Sequence, residues 1–228
     1  MNGEFEKKLA RLQNDLVNQG RRVQDLVLHA VESFFDLNTS LADEVIAGDV
    51  TIDRVDVEIE RASIPLLGMG VTDEYSIRSV LTIVKVNNEV ERIADCAVSV
   101  AEAVKDSVGL DRPIPPTFRV MANSVVGMLR DTNRALEAHD TKLARDVLSF
   151  DDMVDRFRRE IMTDAQRKVA AGEFQFEFAM RLQSVTKSLE RMADHCTNIC
   201  EQIIYLETGQ IVRHLPEGWT NPAAPESL

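Results

Sequence analysis

The sequence has little aromatic, glycine or proline content: Phe, Trp and Tyr make up 5% of 228 residues, with 10 Gly and 7 Pro. Strands draw on aromatic side chains and tight turns on Gly, so this scarcity argues against a strand-rich fold. Cysteine is scarce too. Cys96, Cys196 and Cys200 are odd in number and give no paired framework. With no secretory leader at the N-terminus, they read as reduced thiols of a cytoplasmic protein. No uncharged apolar run approaches the roughly 20 residues of a membrane span, so direct membrane insertion is not expected. Positive charge is also in the minority, 26 Lys and Arg against 38 Asp and Glu, for a formal net charge of −12. Nucleic acid, which is held by clustered Lys and Arg, is therefore not an expected partner; metal cations or a basic protein surface suit this balance better.

What the sequence does contain is itself, twice. Glu91-Arg92-Ile93-Ala94-Asp95 recurs as Glu190-Arg191-Met192-Ala193-Asp194, 99 residues later, and Glu102 recurs as Glu201. Asp49 and Asp53, ahead of Glu58-Ile59, recur as Asp151 and Asp155 ahead of Glu160-Ile161, 102 residues later. Self-similarity at a fixed period means one structural unit built twice. Apolar periodicity predicts three helices per unit: 5–37, 39–67 and 72–108, then 117–139, 141–171 and 173–208. Thr72 and Asp73 are cap candidates, and Pro65 should end or kink the second helix. In the third helix Ile83, Val86, Val90, Ile93, Ala97, Val100 and Val104 form one apolar stripe. Val185, Leu189, Met192, Cys196, Ile199 and Ile203 repeat it in the sixth. Cys196 and Cys200 are thus expected as small core residues.

Short connections between long helices make antiparallel neighbours. The expected fold is all-α: two tandem repeats, each an antiparallel three-helix bundle, six long helices in all. The first repeat spans 1–108, a Pro-rich linker 109–116, the second repeat 117–214, and an extended tail 215–228 in which Trp219 is the one candidate for docking back.

Glu91 and Asp95 stand one helical turn apart and so share a face, as do Glu190 and Asp194. That face lies about 160° from the apolar stripe, and the Asp49/Asp53 and Asp151/Asp155 pairs lie roughly 100° from theirs. Like charges at this spacing repel. Two readings follow: solvated faces inherited through duplication, or cation sites in which carboxylates from adjacent helices take a hard or borderline metal. His195 packs at a boundary or lends a nitrogen ligand. His29, His139 and His214 have no assignable catalytic partner. A di-metal carboxylate enzyme, a third possibility, places Glu and Glu-x-x-His ligands inside its bundle; no Glu-x-x-His occurs here.

Glu-Arg-(Ile/Met)-Ala-Asp resembles the Glu-Arg-Ile-Gly-Asp signature that PhoU proteins carry once per repeat. The stretch LERMADHCTNICEQIIYLETGQIVRH, from Leu189 to His214, resembles the same family's C-terminal string. Asp194, His195, Asn198, Ile199 and Glu201 fall on its Asp-His-x-x-Asn-Ile-x-Glu, and Gly209, Arg213 and His214 on its ending. Arg78 and Lys85 fall where the family has the Arg of Asp-Leu-Arg and a following Lys, while Ser76 departs from that motif's Asp. The resemblance covers about residues 5 to 214. It implies two three-helix bundles, often dimeric, with no known catalytic activity. It implies metal on Asp49, Asp53, Glu91 and Asp95 and on Asp151, Asp155, Glu190 and Asp194, the ion being iron, zinc, manganese or magnesium. It further implies an adaptor between a PstB-like transporter ATPase and a PhoR-like histidine kinase, restraining phosphate uptake and the phosphate-starvation response. An accessory of another phosphate or ion permease is the alternative within the same family.

Overall fold

In the computed structural model, which describes residues 2–69, 73–110 and 114–212, helices follow one another with no strand among the described residues. They are α1 (Asn2–Asp36), α2 (Thr39–Leu67), α3 (Glu74–Lys105), α4 (Pro116–Ala138), α5 (Thr141–Leu148), α6 (Asp151–Ala170) and α7 (Phe176–Thr208). Local chemistry sets their ends. Asn38, Asp73 and Asp140 each accept a backbone N–H of the following first turn through the side chain, which satisfies donors that no intrahelical carbonyl reaches. Pro65 lies in the last turn of α2, which stops at Leu67. The other cap candidate, Thr72, the segment 111–113 of the linker, and Arg213, His214 and the tail with Trp219 lie outside the described residues.

One element departs from expectation. The helix expected over 141–171 is two, α5 and α6, separated at Ser149 and Phe150. Ser149 folds its hydroxyl onto the Asp146 carbonyl at 2.7 Å, and the Phe150 N–H reaches back three residues to Val147. Buried Val147 and Leu148 hold the end of α5 in the core while Phe150 stays partly exposed. Asp151 and Asp152 then open α6, where carboxylates suit the positive end of the helix dipole.

Within each repeat the rods pack on one another, α1, α2 and α3 in the first and α4, α5, α6 and α7 in the second. Every residue of the two apolar stripes is buried, Cys196 included. The burial leaves its mark on the thiols: the Cys200 pKa is pushed up to about 12, as expected of inert core cysteines.

The repeats join through α3 against α7 and α1 against α4. The α3–α7 contacts run antiparallel: Asp106 pairs with Arg181 at 3.0 Å, Glu89 with His195 at 2.7 Å, and Lys85 lies 5.7 Å from the Tyr205 ring centre. That register sets Ala94 opposite Ala193, the fourth residue of each five-residue repeat motif, and both are fully buried. Small side chains at the midpoint let the two helices approach closely. Ala94→Leu inserts volume there and should destabilise by about 1–3 kcal/mol. Ala94→Gly should cost only the helix-propensity difference, roughly 1 kcal/mol. Chemical denaturation of the two variants separates the cases.

Candidate metal centre

On α2, Asp49, Asp53, Asp56 and Glu60 recur at steps of four, three and four, which is one row along the helix. On α3, Glu91 and Asp95 face that row. The electrostatics bring the two helices' acids together. The Asp49 pKa is pushed up to about 6, first by burial and then by the charges of Asp53 and Asp95. Glu91 is raised by burial and by Asp95, Asp56 and Asp53, with Arg92 opposing. Asp56 is raised by burial, then by Glu60 and Asp53.

The second repeat reproduces this. The Asp151 pKa is pushed up to about 6 by burial and by Asp194, Asp155, Asp152 and Glu190. Asp194 is raised by burial and by Glu190 and Asp155, with Lys187 and His195 opposing. All eight residues singled out from the sequence thus fall into two clusters, four in each repeat, astride α2/α3 and α6/α7. Asp56 is a member that the repeat comparison passes over, because its counterpart by spacing is Arg158; the unbroken acidic row on α2 was the available signal.

The acids differ in depth: Asp53 and Asp194 are exposed, while the two glutamates are drawn into the flank of the bundle. The side chains of Glu91 and Glu190 are 21% and 14% exposed, because the neighbouring helix covers the flank of α3 and α7. Cations of the chain meet part of the charge. Arg92 Nη1 donates to Asp95 Oδ2 at 2.9 Å, Arg158 Nε lies 3.2 Å from Glu190 Oε2, and Lys187 Nζ approaches that same oxygen. Glu91 Oε2 is buried without a hydrogen bond, since Arg92 Nε, 3.1 Å away, is not aligned to donate.

His195 turns from the acids toward the other repeat. Its Nδ1 is 2.7 Å from Glu89 Oε2, which also accepts from Asn198 Nδ2 at 3.0 Å. Burial alone would raise the Glu89 pKa; these two partners outweigh it and hold the carboxyl below its usual range. His139 caps α4 in a left-handed conformation and pairs with Glu207.

Among the described residues, no three Asp, Glu, His or Cys side chains stand close enough together to enclose an ion as placed. The donor set nonetheless fits a cation. Its atoms are carboxylate oxygens, burial and neighbouring charge raise the pKa of Asp49, Glu91, Asp151 and Asp194, and Glu91 Oε2 is buried with its acceptor capacity unmet.

An all-helical arrangement of two like halves, joined at small residues and carrying one acidic cluster per half, defines a class of tandem-repeat bundle proteins. A family model described as PhoU domain matches residues 16–104 and again 118–203, and the chain belongs to the PhoU family. It is 31% identical over 210 residues to the phosphate-specific transport system accessory protein PhoU homolog of Aquifex aeolicus, covering 91% of this chain and 95% of that one. The PhoU homolog 1 of Thermotoga maritima is 27% identical over 218 residues, 94% and 93% of the two chains. Among solved structures, PhoU from Pseudomonas aeruginosa superposes with a TM-score of 0.83 at 27% identity, over 90% of this chain and all of that one. The phosphate transport system regulatory protein PhoU from Streptococcus pneumoniae shares the fold at a TM-score of 0.85 and 22% identity, over 91% and 99%. No helix of the described residues is long and apolar enough to cross a membrane.

Proposed function

We propose that this chain is the regulatory accessory of a phosphate-specific transport system. It restrains phosphate uptake and silences the phosphate-starvation response while phosphate is plentiful. It does so as a cytoplasmic adaptor between a PstB-like transporter ATPase and a PhoR-like sensor kinase, recruited to the inner face of the membrane by those partners. The observation that carries this reading is the PhoU match across both repeats, with relatives of that name aligned over more than nine-tenths of the chain.

The chain works without catalysis, as a rigid set of rods that offers docking faces and assembles as a homodimer. Asp49, Asp53, Glu91 and Asp95 in the first repeat and Asp151, Asp155, Glu190 and Asp194 in the second would hold divalent or trivalent ions of iron, zinc, manganese or magnesium. When bound, those ions supply positive charge that links acidic helices otherwise pushed apart. The bundle interiors are filled by the apolar stripes, which leaves the acids in the grooves between helices rather than in a dry reaction chamber.

The test is co-purification from phosphate-replete cells. Tagged chain should retain the transporter ATPase and the sensor kinase, and deleting its gene should switch on a starvation-response reporter in rich phosphate. Retention of neither partner, with a silent reporter, would refute the adaptor role.

A further inference from the structure

Away from the acid clusters, three buried polar atoms of the described residues have no hydrogen-bond partner: Arg78 Nε, Thr82 Oγ1 and Gln202 Oε1. All three belong to one end of the α3–α7 seam. The antiparallel register that pairs Glu89 with Asn198 sets Lys85 opposite Gln202, Thr82 opposite Tyr205 and Arg78 opposite Gly209. The contacts agree. The Lys85 ammonium and the Arg78 guanidinium lie 5.7 and 6.0 Å from the centre of the same Tyr205 ring. Gly209, left-handed at φ 72°, comes so near Arg78 that a Cβ there would stand 2.9 Å from Nη1. A pocket of about 210 Å³ opens at this place, lined by Lys85, Glu201, Gln202, Tyr205, Ile211 and Val212.

The opposite end of the seam closes on itself. By the 99-residue spacing of the third helices, Thr82 corresponds to Arg181 and Asp106 to Tyr205. There Arg181 and Asp106 form an ion pair at 3.0 Å. At the open end no such pair forms. Lys85 has no ion-pair partner among the described residues; its one contact of that kind is the Tyr205 ring. Arg78 gives Nη1 to Glu74, whose side chain is 83% exposed, and keeps Nε inside without an acceptor. Two more cations, Arg213 and His214, follow Val212 in the chain. Buried donors are seldom left without an acceptor, so this group of cations lacks an anion.

We propose that the pocket binds a small oxyanion that retains a proton, of the hydrogen-phosphate class. Lys85 and Arg78 donate to its oxygens as charge-assisted partners. The anion's own O–H donates to Gln202 Oε1, the acceptor left unmet in the wall. Glu201 on the same wall repels an anion that brings no proton, so sulfate, fully ionised at neutral pH, is disfavoured twice. The site rests neither on the acid pairs as metal sites nor on the adaptor contacts.

Inorganic phosphate and sulfate are the probes. Full-length chain in EDTA, so that no metal ion captures the anion, is titrated by calorimetry near neutral pH at constant ionic strength, and circular dichroism confirms that each variant folds. Wild type should bind phosphate saturably and sulfate at least about tenfold more weakly. Lys85→Met, at an exposed position outside the core, and Arg78→Met should each weaken phosphate on the order of tenfold or more. Gln202→Leu should narrow the preference for phosphate over sulfate. Heat of dilution alone, equal affinity for the two anions, or wild-type affinity in Lys85→Met would overturn the site.

Discussion

Chelator-treated protein should be more stable near pH 4 than at pH 7.5, with the loss falling between about pH 4 and pH 6. Asp49 and Asp151 carry folded-state pKa values of about 6, against an ordinary 3.8. Burial is the first cause in each, and neighbouring carboxylates the second. Raised acids bind protons more tightly when folded than when unfolded. Their contribution is neutral below the unfolded pKa, turns unfavourable as pH rises through the interval, and is fully unfavourable above the folded value. Asp56, Glu91 and Asp194 are shifted in the same direction. Solvent screening reduces the contributions of the partly exposed Asp49 and Asp151 to on the order of 1 kcal/mol each. Glu89, Asp164, Asp73 and Glu4 are shifted the other way, and their smaller contributions are lost as pH falls through and below the ordinary carboxylate range.

A divalent cation should reverse the effect where the acids are ionised and do nothing where they are protonated. Melting curves in Mn2+ and in EDTA at pH 7.5 should therefore diverge by several degrees, and near pH 4 they should coincide. Equal stability at both pH values in EDTA would mean that the carboxylates are too well hydrated to repel.

Phe118→Ala should be among the most damaging single substitutions. Phe118 opens α4 at 1% exposure, its ring 5.3 Å from Phe34 and 5.8 Å from Phe35 at the end of α1. Arg119, the next residue, lies 3.9 Å over the Phe35 ring. This cluster ties the start of one repeat to the end of the first helix of the other. Truncating a buried Phe costs about 3–5 kcal/mol, a large share of the 5–15 kcal/mol that typically holds a domain. For a chain of this size that lowers Tm by roughly 10 °C. Phe176→Ala, at a ring 63% exposed, should stay within about 0.5 kcal/mol. A Tm for Phe118→Ala within a degree of the parent would mean that the two repeats do not depend on this contact.

Much of the architecture could be read from the chain before any coordinates. The second helix closes two residues past Pro65 and the third is capped by Asp73, because a ring without an N–H and a capping side chain act locally. The stripes from Ile83 to Val104 and from Val185 to Ile203 are buried as their spacing requires. The break at Ser149 and Phe150 was not legible, since neither Gly nor Pro marks it; tertiary burial of Val147 and Leu148 ends that helix. The acidic pairs were visible as spacing, but their depth was not, because a helical wheel knows nothing of the helix lying beside it. For the same reason Glu89 and His195, 106 residues apart, could not be paired in advance. Asp56 was hidden by the comparison that revealed the others: a site found by repetition omits whatever only one copy carries.

The central claim is that carboxylates of adjacent helices gather, once per repeat, around positive charge taken from solution. Anomalous diffraction from crystals grown with Mn2+, collected near the manganese edge, tests it directly. The account predicts peaks in both clusters, among Asp49, Asp53, Glu91 and Asp95 and among Asp151, Asp155, Glu190 and Asp194. Well-ordered carboxylates in both places, hydrogen-bonded to water or to chain cations and without anomalous signal, would contradict it.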